Sequence, residues 1–172
     1  MTPATWLRDH AALLPLSGHA LDLACGRGRH ALWLAERGLQ VVAVDRDQGA
    51  IDVLHREARA RGLDVRAVVS DLEAGDALLG EHAFDLIVVI NYLHRPLFPA
   101  LIRALRPGGV LVYETCTRDQ ARRGKPTNPD FLLQAGELRA LVAPLAILDY
   151  REGEFDERDV ASVVAKMGSG GI

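Results

Sequence analysis

Residues 20–30 read Ala-Leu-Asp-Leu-Ala-Cys-Gly-Arg-Gly-Arg-His, an apolar run that stops in a tight turn holding Gly26 and Gly28. Residues 30–37 then read as a helix, with Gly38 placed as its C-terminal cap. A strand that passes through a glycine turn directly into a helix forms the front of a nucleotide-cofactor site. Glycine lets the backbone come close to a ligand, and the start of the helix offers unpaired N–H groups to an anion. The turn by itself leaves open which cofactor lies on it.

The alternation continues downstream. Residues 40–44 form a β-branched run that ends at Asp45, and Asp47 is placed to cap a helix in which Ile51, Leu54 and Ala58 share a face and Gly62 ends the run. Residues 65–69 are a third strand, followed by Ser70-Asp71-Leu72-Glu73. Residues 84–90 are a fourth, almost wholly apolar, as a strand covered on both faces should be. It leads into Asn91-Tyr92-Leu93-His94-Arg95-Pro96, a helix over 97–105, a proline-glycine turn at 106–109 and a fifth strand at 110–114. A polar loop over 115–130 carries Arg118, Arg122, Arg123 and Lys125. A helix is expected over 131–142, with Pro129 at its start, then strands at 146–150 and 160–166. The segment between those strands is too short and charged for a crossover helix, so they should pair as a hairpin with one strand antiparallel to the rest. At the N-terminus, Trp6, Leu7, Ala11 and Leu14 sit at helical spacing before Pro15, and Trp6 reads equally as a core staple or as a lid on the site.

In such a parallel sheet, ligands sit beyond the carboxyl ends of the strands at the point where the strand order reverses. The turn at Gly26, Asp45, Asp71 and residues 91–95 should therefore converge on one crevice. The chain has 172 residues, 49% of them hydrophobic and 25% charged, which describes one globular domain with a substantial core. Residues 1–19 form its helical lead and residues 168–172 a flexible glycine-rich tail. A net charge of −3 gives no footprint for a nucleic-acid partner. Cys25 and Cys116 make neither a framework nor a CxxC pair, which fits a reducing, cytoplasmic setting. The N-terminus lacks the pattern of a signal peptide, and no apolar run approaches the length of a membrane span. No HExxH, cysteine cluster, P-loop or GxSxG motif is present, and no metal ligand set is expected.

The sequence resembles the class I S-adenosylmethionine-dependent methyltransferases. Leu21-Asp22-Leu23-Ala24-Cys25-Gly26-Arg27-Gly28-Arg29, Val41-Val42-Ala43-Val44-Asp45, Ser70-Asp71-Leu72, Phe84-Asp85-Leu86-Ile87 and Leu105-Arg106-Pro107-Gly108-Gly109 carry the resemblance, in the family's order and spacing. The match runs over roughly residues 20–115. Within the class the chain is similar to small bacterial proteins related to tellurite-resistance and thiopurine-type methyltransferases. His30 stands where the commonest glycine pattern has a third glycine. The implied fold is α/β: a Rossmann-like, doubly wound, mostly parallel seven-stranded sheet with one antiparallel strand in a C-terminal hairpin.

The implied cofactor is S-adenosyl-L-methionine. Gly26 and Gly28 would let the chain pass under its methionyl part, with backbone groups from Ala24 to Gly28 holding the ammonium and carboxylate. Asp22 would fix the loop or reach the ammonium through water, and Arg29 or His30 would approach the carboxylate. Asp45, with Arg46 beside it, would take the ribose hydroxyls. Asp71 would accept from the adenine amino group while the Leu72 amide meets a ring nitrogen, although Asp71 also reads as a plain loop residue. Asn91 and Tyr92 would form the floor near the sulfonium. His94 is placed to act as a base, or simply as a positioned loop histidine, since methyl transfer to a well-aligned acceptor can proceed without one. Tyr113, Glu114, Thr115 and Arg118 complete the acceptor side, and the acceptor is expected to be a small molecule or an oxyanion. Cys25 reads as packing filler and Trp33 as core. Two other readings compete. Gly26, Gly28 and Ala31 also satisfy GxGxxA with Asp45 at a ribose-binding distance, as in a nicotinamide oxidoreductase. A non-catalytic cofactor-binding subunit would keep the same loop.

Overall fold

The computed structural model describes residues 1–75 and 79–170. A single seven-stranded sheet has the order β3-β2-β1-β4-β5-β7-β6. Its strands are β1 (His19–Leu23), β2 (Gln40–Asp45), β3 (Val65–Val69), β4 (Phe84–Ile90), β5 (Leu105–Cys116), β6 (Ala146–Phe155) and β7 (Arg158–Lys166). β1 pairs in parallel with β2 and β4, β2 with β3, and β4 with β5, while β7 runs antiparallel to both β5 and β6. The chain winds outward from β1 to β3 and then crosses back to β4, so the order reverses between β1 and β4. That reversal opens a crevice at their carboxyl ends.

The helices cover both faces because β4 is apolar on both. One face carries α1 (Thr5–Asp9), α2 (Arg29–Glu36) and α3 (Gln48–Ala60), packed on Ala20, Leu86, Val88 and Val112. The other carries α4 (Phe98–Ala104) and α5 (Glu137–Leu141), packed on Leu21, Ile87, Leu111 and Val163. Asp47 caps α3 by accepting the Ala50 N–H at 3.1 Å. Trp6 is core: it is buried, and its indole N–H donates to the Val163 carbonyl at 3.2 Å. Among the described residues no helix is long and apolar enough to cross a membrane.

Four expectations need correction. The helix expected over 131–142 is a 3₁₀ turn at Pro129–Phe131, with the Asn128 side chain accepting from Asp130, followed after Gly136 by the short α5. The N-terminal helix stops at Asp9, and Ala11–Leu13 continue only as 3₁₀. The turn at 106–109 belongs to β5 as an irregularity in its pairing with β4. The charged segment before β7 is mostly strand, and the true turn is Asp156-Glu157, both at positive φ as a two-residue hairpin turn requires. Of the expected tail, Gly168 accepts from the Gly108 N–H, and Gly171 and Ile172 lie outside the described residues.

Gly28 has φ 84° at the start of α2, and a Cβ there would collide with the Leu54 side chain of α3. Its bareness serves helix packing rather than the approach of a ligand. Gly26, at φ 55°, faces open space. Gly28→Ala should therefore cost about 2–4 kcal/mol in urea unfolding, against about 1–2 kcal/mol of backbone strain for Gly26→Ala. A Leu54→Ala background should recover the steric part of the Gly28→Ala loss. Equal losses for the two single variants would show that Leu54 does not set the requirement.

Candidate functional site

The carboxyl ends of the strands enclose a cavity of about 370 Å³. Each wall follows from a strand that ends in a turn-forming residue. β1 runs into Ala24, which takes φ 53°, and then the glycine turn. β2 ends at Asp45, followed by Arg46. β3 leads to Ser70, Asp71, Leu72 and Glu73, with Asp71 accepting the Glu73 N–H at 3.0 Å in a local turn. β4 ends at Asn91, whose φ of 62° suits asparagine, and continues as Tyr92 and Leu93. β5 contributes Thr115, and the loop behind it contributes Pro126 and Phe131.

The structure brings Ala24, Asp45, Arg46, Asp71, Leu72, Asn91 and Tyr92 together in this cavity. It places the other expected residues differently. Asp22 is buried beneath the turn, where its carboxyl accepts the Ala31 N–H at 3.0 Å, and burial pushes its pKa up to about 7. Asp22 is thus the loop-fixing group of the two roles expected for it. His30 is also buried, and its Nε2 accepts the Ala4 N–H at 3.1 Å. Burial, reinforced by the Arg29 charge, pushes its pKa down to about 3, so the ring is neutral and holds the N-terminal segment. Arg29 donates to the Thr2 carbonyl and lines a separate hollow between α2 and α3. His94 lies half-buried one residue past the wall residue Leu93, and its carbonyl accepts from Leu97. Cys25 is buried, and its thiol pKa is pushed up by burial, which suits a packing role.

On the acceptor side, Tyr113 faces the core and props the floor, its hydroxyl donating to the Tyr92 carbonyl at 2.5 Å. Glu114 is buried with Ser162 and Arg151 on the opposite face of β5. The basic loop folds back onto acids: Arg122 on Asp119, and Arg123 on Asp159 and Glu154. Arg95 braces the far wall by donating to the Asp130 and Leu132 carbonyls on either side of Phe131 and by pairing with Glu137. Pro126, Phe131 and Arg95 carry no local sequence signal for these roles, whereas Glu73 was readable as the next acid in the turn of Asp71.

The electrostatics of the cavity are distinctive. Asp45 accepts the Gly26 N–H at 2.8 Å through Oδ2 and the Asp47 N–H at 2.9 Å through Oδ1. Two N–H groups around the turn, those of Gly26 and Ala31, are therefore held by carboxyl groups. Asp45, Asp71 and Glu73 face the same space, with Arg46 as the cation in the wall. Burial, with Glu73 and Asp71 adding to it, pushes the Tyr92 phenol up to about 12, so it stays protonated. Such a lining repels a pyrophosphate and suits a ligand with net positive charge and hydroxyl or amino donors. S-adenosylmethionine, with its sulfonium and ammonium against one carboxylate, meets that description.

A family model described as a methyltransferase domain matches residues 20–109. The chain is 31% identical over 150 residues to the cypemycin N-terminal methyltransferase of a Streptomyces species, covering 81% of this chain and 54% of the relative. It is 26% identical over 149 residues to the probable S-adenosyl-L-methionine-dependent methyltransferase TehB of Haemophilus influenzae, covering 81% of this chain and 50% of the relative. The chain thus spans about half the length of the curated relatives it matches. The crystal structure of TehB from Haemophilus influenzae superposes with a TM-score of 0.75 at 22% identity, over 94% of this chain and 60% of that one, and shares the fold.

The buried pair His30 and Asp22 give stability opposite pH dependences. Unfolded His30 takes up a proton near 6.5 and the folded ring only near 3, so its contribution is complete above pH 6.5 and is lost as pH falls below it. Asp22 contributes most below 3.8, and that contribution is lost as pH rises through 7. Comparison with His30→Gln, which keeps a neutral acceptor, isolates the first. Between pH 6.5 and 5 the wild type should lose about 2 kcal/mol more than the variant in urea unfolding. Parallel pH profiles would show that His30 is not held neutral.

Proposed function

The chain belongs to the S-adenosylmethionine-dependent methyltransferase domain family, and from that premise we propose that it transfers a methyl group to a small-molecule acceptor held at the Thr115–Phe131 side of the cavity. The observation that carries the reading is the carboxylate set Asp45, Asp71 and Glu73 facing one cavity beside the glycine turn. A nicotinamide dinucleotide would bring its pyrophosphate to N–H groups already held by Asp45 and Asp22.

S-adenosylmethionine supplies an electrophilic methyl group on a sulfonium, with a neutral thioether as the leaving group. The chain's part is to bind and align. Asp45 keeps unused lone pairs on both carboxylate oxygens for the ribose hydroxyls. Asp71 accepts the adenine amino group, and the Leu72 amide serves a ring nitrogen. The open face of Gly26, with Ala24, receives the methionyl part, while Arg46 lies at the ribose side. Asn91 and Tyr92 form the floor, and Tyr92, as a phenol, donates a hydrogen bond rather than taking a proton. Positioning supplies most of the acceleration in an aligned displacement. His94, next in the chain to the wall residue Leu93, is our candidate for taking a proton from a neutral acceptor.

Asp45→Ala should weaken S-adenosylhomocysteine binding by about 1.5–3 kcal/mol in calorimetry. An unchanged affinity removes the ribose contact from the reading, and binding of NADH in place of S-adenosylhomocysteine removes the reading altogether. Once an acceptor is identified with labelled cofactor, His94→Ala should lower turnover at least about tenfold while leaving cofactor affinity in place. Unchanged turnover would assign His94 to the scaffold.

A further inference from the structure

Three half-buried arginines beside this half of the sheet each face a carboxylate: Arg95 with Glu137, Arg106 with Asp85, and Arg151 with Glu114. Arg158, the first residue of β7, is half-buried and faces none among the described residues. One Nη of its guanidinium meets two uncharged partners, the Asn91 side-chain oxygen and the Cys116 sulfur at 3.2 Å. Among the described residues Nε and the other Nη have no protein acceptor, which leaves one edge of the planar fork open. A cation partly withdrawn from water without a counter-charge is costly, and an anion brought to it repays that cost.

Its place gives the feature a function. Asn91 lines the cavity, and Arg158 reaches its side-chain oxygen from the end where β4, β5 and β7 meet. The carboxylates gather at the opposite end, beyond β2 and β3. The wall between carries Pro126 and Phe131, and Phe131 is 49% exposed although Arg95 braces the backbone on both sides of it. A braced, half-exposed aromatic ring in the cavity wall, together with an unmatched guanidinium held against the cavity residue Asn91, suits a ligand with an apolar body and a planar anionic head.

We propose that Arg158 binds the anionic group of the methyl acceptor, a small organic carboxylate whose apolar body lies against Phe131 and Pro126. The assignment rests on the reading of this cavity as the cofactor and acceptor site. The full 172-residue chain is first titrated with S-adenosylhomocysteine. The saturated protein is then titrated with a panel of aromatic and aliphatic carboxylates, each beside its primary amide, with selenite and inorganic phosphate included. At least one carboxylate should bind about tenfold more tightly than its amide. Arg158→Gln should erase that preference while keeping S-adenosylhomocysteine affinity within about twofold, and Arg158→Lys should retain part of it. Phe131→Ala should weaken acid and amide alike. Equal binding of acids and amides, a preference that survives Arg158→Gln, or binding of selenite or phosphate alone would overturn the proposal and leave the cofactor reading standing. Failure of S-adenosylhomocysteine to bind the wild type would overturn both.

Discussion

The carboxylate of Asp45 is the bond on which the site is built. It stands at the end of β2 and receives one N–H from the glycine turn after β1 and another from the approach to α3. Each accepted N–H ties a loop to the end of β2, alongside the Cys25 N–H bond to the Val44 carbonyl and the Asp47 cap of α3. The same group therefore shapes the turn, seats the capped start of α3 and adds negative charge to the lining of the crevice. A charge-assisted acceptor does this more strongly than a neutral one. It also bears on ligand class, because a turn whose Gly26 N–H is taken by a carboxylate in the cavity lining is poor ground for a phosphate.

Around that point charge is sorted by depth. The deepest titratable groups on this side, Asp22 and His30, are both pushed by burial toward their uncharged forms, and both spend their polar atoms on backbone N–H groups. The charged groups stand at the rim, acids beyond β2 and β3 and Arg158 beyond β7. Asp22 and His30 thus add little charge beneath the crevice, whose own carboxylates stand beyond β2 and β3. That separation follows from strand order alone, since β7 reaches this end only because it is threaded antiparallel between β5 and β6.

Much of this was legible in the sequence, for physical reasons. The glycine turn, the β-branched runs and the fully apolar β4 fix a parallel sheet, and the charged gap near residue 155 implies a hairpin. The acids at strand ends follow from the strands themselves, so Asp45, Asp71 and the Asn91 turn were placed without coordinates. What was not legible depends on contacts distant in sequence. Gly28 looks like a ligand-approach glycine until Leu54 is seen against it. His30 and Arg29 look like anion ligands until the N-terminal segment is found bonded to both. Phe131 reads as part of a helix in the sequence, but Asn128 and Gly136 divide the segment and Arg95 holds it as a wall. Arg158 has no local signature, and only the fold brings it to Asn91.

Trp6 hydrogen-bonds to Val163, 157 residues away in sequence, and β6 has no strand other than β7 to pair with. On a ribosome these facts impose an order of assembly. From the emergence of β5 until that of β7, β5 is a bare sheet edge and α1 lacks the strand whose carbonyl receives its indole, and β6 is unpaired when it first appears. All three are resolved by one late event, the arrival of β7. Until then the nascent chain holds the glycine turn and the acids of the crevice, while Asn91 waits for the guanidinium of Arg158 that arrives with β7.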